Sequence, residues 1–224
     1  DLRAAVARAG DPAVRAVVVT GTPHFAAGAD IGELKSASIG AEDTPLAWHL
    51  TQVLLDLERL PKPIIAAIRG FALGGGLELS LSCDFRYLAE DARVGLPEIK
   101  LGIFPGAGGT QRLPRLIGLP NALEMITAGK PIKSKLAWSR GLVDEVVPAD
   151  KLLDAALKAA RRFISGELNR KMRMTRSVNH RLPSAAEKTA RMTVNGPTNT
   201  SLAISTWPMI WAEGSISAVG SILG

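Results

Sequence analysis

Ile64-Ile65-Ala66-Ala67-Ile68-Arg69-Gly70-Phe71-Ala72-Leu73-Gly74-Gly75-Gly76-Leu77-Glu78-Leu79 is a short apolar run that reaches three consecutive glycines and then a second apolar run, to about Cys83. The first run reads as a buried strand, Ile64 to Ile68, and the second as a helix. Glycines at such a corner permit close backbone approach and unusual dihedrals. The first amides of the helix have no intrahelical acceptor, so they can hold an anion or a developing oxyanion. Glu78 stands three residues after Gly75, on roughly the same side of the first turn. An acid there also simply favours the helix dipole, so the corner alone decides nothing about chemistry.

The pattern repeats outward from this corner. Val14 to Thr20, with Ala16-Val17-Val18-Val19, reads as a strand ended by Gly21, Thr22 and Pro23. A tight loop, Phe25 to Asp30, follows. Leu50, Val53, Leu54, Leu57 and Leu60 recur at helical spacing over 46–60, closed by Pro61 and Pro63. Residues 85–89 and the surroundings of Val94 read as strands, and Pro105 to Gly109 as a turn-rich loop. A helix is expected over 119–128, then one capped by Ser134 and ending near Gly141. Val143 to Val147 reads as a strand, and Pro148 opens a long helix to about Phe163. Alternating strands and helices make the chain α/β with largely buried strands.

Composition bounds the function classes. The chain has 224 residues, 46% hydrophobic and 21% charged, which are globular proportions with room for one sizeable core. A single cysteine, Cys83, excludes an internal disulfide framework. With that cysteine favouring a reducing compartment, a cytoplasmic location is expected, with mitochondrial or peroxisomal as the alternative. No apolar run is long enough to span a bilayer, so no membrane role is expected. His24, His49 and His180 are widely separated and show no metal-ligand spacing. The net charge of +6 is concentrated late. Nine basic residues between Arg161 and Arg191 face only Glu167 and Glu187. A solvated helical face is the plain reading of that segment, contact with a phosphate-bearing group the second, and nucleic acid is not expected. From Met192 to Gly224 the chain has no Lys or Arg and one acid, Glu213. Because Asp1 opens directly on an amphipathic pattern, the sequence reads as starting inside a domain.

Two further loops join the glycine corner. Ala26-Ala27-Gly28-Ala29-Asp30 follows the first strand and can present a backbone amide, or is a simple turn around Asp30. Leu96-Pro97-Glu98-Ile99 places an acid in an apolar segment, or is a surface turn. Taken with Leu101-Gly102-Ile103-Phe104-Pro105-Gly106-Ala107-Gly108-Gly109-Thr110-Gln111-Arg112, the order and spacing closely resemble the enoyl-CoA hydratase/isomerase (crotonase) family. The resemblance covers roughly residues 1–165. It continues through Ala122 to Gly129 and Gly141 to Val147.

The resemblance implies a superhelix of ββα turns followed by a helical region. It divides the chain into a catalytic core over 1–165, lacking the family's first hairpin, and a helical extension with a charge-poor tail over 166–224. It implies that Ala29 and Gly75 donate N–H groups to a thioester oxygen and that Glu78 and Glu98 are the catalytic carboxylates. Ala27, Gly28, Asp30, Ile31, Gly74, Gly76, Pro97 and Gly106 would line the substrate site. The implied reaction is hydration of trans-2-enoyl-CoA. Coenzyme A belongs to the substrate, so no separate cofactor and no metal are expected. The rival readings are Δ3-Δ2 isomerisation and a non-catalytic binder of CoA or nucleic acid. Residues 176–195 loosely resemble the region after the hydratase half of bifunctional fatty-acid oxidation proteins, although no GxGxxG fingerprint follows. A homo-trimer, a homo-hexamer or membership of such a bifunctional protein is the expected assembly.

Overall fold

The computed structural model describes residues 2–28, 45–168 and 216–218. The elements in chain order are α1 (Leu2–Ala9), β1 (Val17–Gly21), α2 (Pro45–Arg59), β2 (Ile64–Ile68), β3 (Phe71–Leu73), α3 (Gly75–Ser82), β4 (Phe85–Ala89) and β5 (Arg93–Gly95). A 3-10 turn (Glu98–Leu101), α4 (Gly109–Ile117), α5 (Leu119–Ala128), β6 (Ile132–Lys133), α6 (Ser134–Ser139) and β7 (Glu145–Val147) follow. The order ends with a second 3-10 turn (Ala149–Lys151), α7 (Leu152–Ile164) and β8 (Ile216–Ala218).

Two strand stacks run side by side. The larger sheet has the order β7-β4-β2-β1-β8, and every pairing in it except β1–β8 is parallel. In the smaller sheet β3 pairs in parallel with β5, and β6 pairs antiparallel with β5. An isolated parallel bridge joins Ala26 to Ala72, so the loop after β1 stacks on β3 as β1 stacks on β2. Each turn therefore gives one strand to each stack before the chain leaves for its helix. This is the expected superhelix of ββα turns. Parallel strands covered on both faces must be apolar throughout, and β2 and β4 are buried at every position. β4 includes Arg86, which its neighbours satisfy: its Nε donates to Leu142 O at 2.9 Å and its Nη1 to Cys83 O at 2.9 Å.

Tight packing falls where successive turns touch. A Cβ on Gly76 would run into Ala26 O and lie 2.7 Å from Ala26 Cβ. Gly76→Ala is therefore expected to destabilise the fold by about 2 kcal/mol, the usual scale of overpacking. Thermal unfolding should show this as a loss of about 4–8 °C. An unchanged midpoint would mean that the two turns are not in contact there.

The elements differ from the sequence reading in instructive places. The first strand begins at Val17, because Val14 N–H is spent on a turn to Asp11 O at 3.0 Å. Ser134 is the first residue of α6 and not its cap: its hydroxyl donates to Glu90 O at 2.6 Å, across to the loop after β4. The helix expected to open at Pro148 opens as a 3-10 turn, and α7 starts at Leu152. α4 has no counterpart in the sequence reading, since Pro114 lies inside it. Burial of Leu113 and Ile117 and the pairing of Arg112 hold it. Of the expected extension over 166–224, only 166–168 and 216–218 are described. Ile216–Ala218 forms β8, antiparallel on the outer edge of β1. No helix among the described residues is long and apolar enough to cross a membrane.

Candidate active site

The glycine corner follows β3 of the smaller sheet and opens α3. Gly74 takes φ 54°, a conformation that costs other residues steric strain, and its N–H donates to Gly95 O of the next turn at 2.9 Å. Gly28, at φ 98°, occupies the equivalent place one turn earlier, two residues beyond the Ala26–Ala72 bridge. A Cβ built on Gly74 would lie 3.3 Å from Glu98 Oε1 and 3.9 Å from Gly28 Cα. Gly28, Gly74 and Glu98, drawn from three successive turns, thus meet at one point.

Gly75 opens α3, and all eight residues of that helix are buried. Its N–H has no intrahelical acceptor by position and meets no other acceptor among the described residues. One turn on, Glu78 is fully buried, 0% exposed. Its Oε1 accepts from Gly109 N–H at 2.7 Å. Gly109 is the first residue of α4, so a helix N-terminus clasps the carboxyl with an amide that would otherwise be unpaired. Glu98 opens the first 3-10 turn and is 6% exposed.

Five buried side-chain polar atoms lack a hydrogen-bond partner among the described residues, and three of them are Glu78 Oε2, Glu98 Oε1 and Glu98 Oε2. Orphaned polar atoms are costly, so their concentration on two neighbouring carboxyls marks a place prepared for a polar ligand. Burial pushes both carboxyls up to about 7. For Glu78 the Gly109 amide works against burial and the Glu98 charge works with it. Each carboxyl can therefore exchange a proton near neutrality.

Of the remaining expected site residues, Ala27, Gly28 and Pro97 flank this point, with Ala27 exposed and Pro97 half-buried. Gly106 lies exposed in the turn before α4, in the loop that carries Gly109. Ala29, Asp30 and Ile31 lie outside the described residues. Among the described residues no group of His, Cys, Asp and Glu is placed to hold a metal ion. The sequence reading did not single out Gly109, although a glycine pair before a helix is the usual signature of an amide aimed at an anion. It also missed Glu58 and Arg112, a buried pair from α2 and α4, which no local pattern announces.

The stacked turns and the helices that follow them define an α/β crotonase-like fold with a C-terminal helical region. The chain belongs to the enoyl-CoA hydratase/isomerase family, whose sequence profile matches residues 1–200. It is 49% identical over 177 residues to the fatty acid oxidation complex subunit alpha of Pseudomonas paraeruginosa, a match covering 77% of this chain and 25% of that one. The chain thus spans about a quarter of the length of the curated relatives it matches. Among solved structures it is similar to an enoyl-CoA hydratase from Bacillus anthracis, with TM-score 0.72 and 37% identity over 85% of this chain and 75% of that one. It is likewise similar to Pseudomonas aeruginosa DspI, with TM-score 0.72 and 32% identity over the same shares.

Proposed function

We propose that the chain hydrates trans-2-enoyl-CoA thioesters to 3-hydroxyacyl-CoA in fatty-acid or related acyl-CoA metabolism. The observation that carries this reading is the pair of buried carboxyls, with Glu78 Oε2 and both Glu98 oxygens lacking a partner among the described residues, beside the free N–H of Gly75. Hydration needs a polarised carbonyl, a water delivered to C3 and a proton delivered to C2. The N–H groups of Gly75 and Ala29 would receive the thioester oxygen as negative charge develops on it, with no reorganisation at the moment of reaction. Ala29 is included because it follows Gly28 as Gly75 follows Gly74, and because the family resemblance implies it.

The two carboxyls divide the proton work. Glu78 has the Gly109 N–H on one oxygen, which favours its charged form, and its other oxygen is left to accept a proton from water. Glu98 accepts from no other described residue, and its burial outweighs the pull of its own backbone N–H, which favours its protonated form as the acid for C2. Their charges oppose each other, so a single proton shared between them is the natural state near pH 7. Backbone donors bind the thioester whichever acyl chain it carries.

The similarity to the alpha subunit of a fatty acid oxidation complex supports work within a larger protein or assembly. The exposed apolar side chains of Ile99, Leu101, Phe104, Leu119 and Leu123 are consistent with a covered face in such an assembly.

The test assays the full-length protein on a 2-enoyl-CoA and on a matched 3-enoyl-CoA, with product identification. Hydration is expected to exceed isomerisation, because two carboxyls are more than a single proton shuttle requires. A dominant isomerase rate with no hydroxyacyl product would overturn the choice of reaction. Thioester binding without turnover of either substrate would favour the binding protein.

A further inference from the structure

Glu78 owes its orientation to the backbone amides of one loop, Gly109 first and Ala107 second, and that loop is held from behind. Arg112 in α4 is buried and grips two elements at once. Its Nε and Nη2 donate to Oε1 and Oε2 of Glu58, in α2, at 2.7 and 3.1 Å. Its Nη1 donates to Ala107 O at 2.7 Å. Two residues beyond Ala107 the chain presents Gly109 N–H to Glu78 Oε1 at 2.7 Å. We propose that the Glu58–Arg112 pair is a positioning device for Glu78: by pinning Ala107 it keeps Gly109 N–H on Oε1 and leaves Oε2 as the oxygen that works on water. The proposal rests on the reading of Glu78 as the group that activates water.

The pair acts through the loop more than through its field. The charged groups facing Glu78 are Glu98 from the 3-10 turn and Arg112 from α4, with Glu58 of α2 behind Arg112. β3, also packed against α3, carries no titratable side chain. Arg112 is in contact with a compensating carboxylate, so its charge reaches Glu78 only as one end of a neutralised pair. It is the weakest of the influences on Glu78, whereas the Gly109 hydrogen bond is the strongest that favours the carboxylate. A buried ion pair also adds little stability over well-packed apolar residues, so stability alone does not account for this one. Only a planar fork can meet both carboxylate oxygens while a third nitrogen reaches a carbonyl.

Arg112→Lys separates geometry from charge, since it keeps the charge but cannot hold Glu58 and Ala107 together. The titration of Glu78 is followed without substrate by NMR in protein labelled with carboxyl-13C glutamate, the signal being assigned with Glu78→Gln. In Arg112→Lys it is expected to move up by about one pH unit, the scale of one lost hydrogen bond to a charged group. The acidic limb of the hydration pH profile should move with it, about tenfold in rate on that side. Arg112→Gln should shift it at least as far, and if that variant does not fold, Arg112→Lys decides alone. An unmoved Glu78 titration, with hydration lowered equally at every pH, would make the pair merely structural and overturn the proposal. A wild-type enzyme that does not hydrate would defeat the functional reading instead, and the substrate-free titration would still decide this one.

Discussion

Glu78→Gln is expected to lower 2-enoyl-CoA hydration about 100-fold or more, and Glu98→Gln to do the same. Gln at 78 keeps an oxygen for Gly109 N–H and so preserves the local fold, but it cannot take a proton from water. Gln at 98 fills the same volume and cannot give a proton to C2. The thioester should still bind, because its donors belong to the backbone. The wild-type rate should follow a bell centred near pH 7, since both carboxyls are raised to about 7 and the reaction needs one charged and one protonated. The two limbs belong to the pair jointly. Loss of absorbance of the conjugated thioester measures the rate, and binding of a saturated acyl-CoA tests the binding claim. Full activity in either variant removes that residue from the mechanism.

The same burial makes the site a stability liability that grows with pH. Glu98 is held at about 7 in the fold against an ordinary 4.5, with burial as the cause. A carboxyl raised on folding binds its proton more tightly in the folded state. Stability is therefore unaffected below about 4.5, falls as pH rises from there to about 7, and stays reduced above. The shift corresponds to about 3 kcal/mol at most. Glu98→Gln removes the ionisation, so it should stabilise the protein by roughly 2–3 kcal/mol at pH 8 and change little at pH 4. It should also ease the proton off Glu78, whose neighbour charge is gone. Urea unfolding of both proteins at the two pH values measures the difference, other titrating groups cancelling between them. An equal difference at pH 4 and pH 8 would show that Glu98 does not carry the strain of being charged.

Much of the architecture was legible because it is periodic. Ile64–Ile68 is apolar without interruption and Phe85–Ala89 is apolar but for Arg86, and the two emerged as the buried centre of the sheet. Glu78 was legible as a residue because the triple glycine before it announces a helix N-terminus. What could not be read is whatever depends on pairing across turns. β3 and β6 are three and two residues long, and their stability lies in their neighbours. α4 hides behind Pro114, and the partnership of Glu58 with Arg112 spans 54 residues of chain. Glu98 gave no local sign of its burial either, since the apolar positions on both sides of it fit a surface turn equally well.

The stacking of parallel turns fixes the scale of the site. Glu78 leaves the turn that contains β3, and Glu98 leaves the next one, which contains β5, while the two strands are paired residue for residue. The step between such strands is about 4.8 Å, imposed by peptide hydrogen bonds and indifferent to side chains. The backbone thus works as a ruler, and the acids are mounted on adjacent graduations. Substitutions can change which chemical group stands at a graduation, but they cannot stretch the interval. A new reaction on this frame is therefore reached by moving an acid from one turn to another, with the Gly75 amide left where it is.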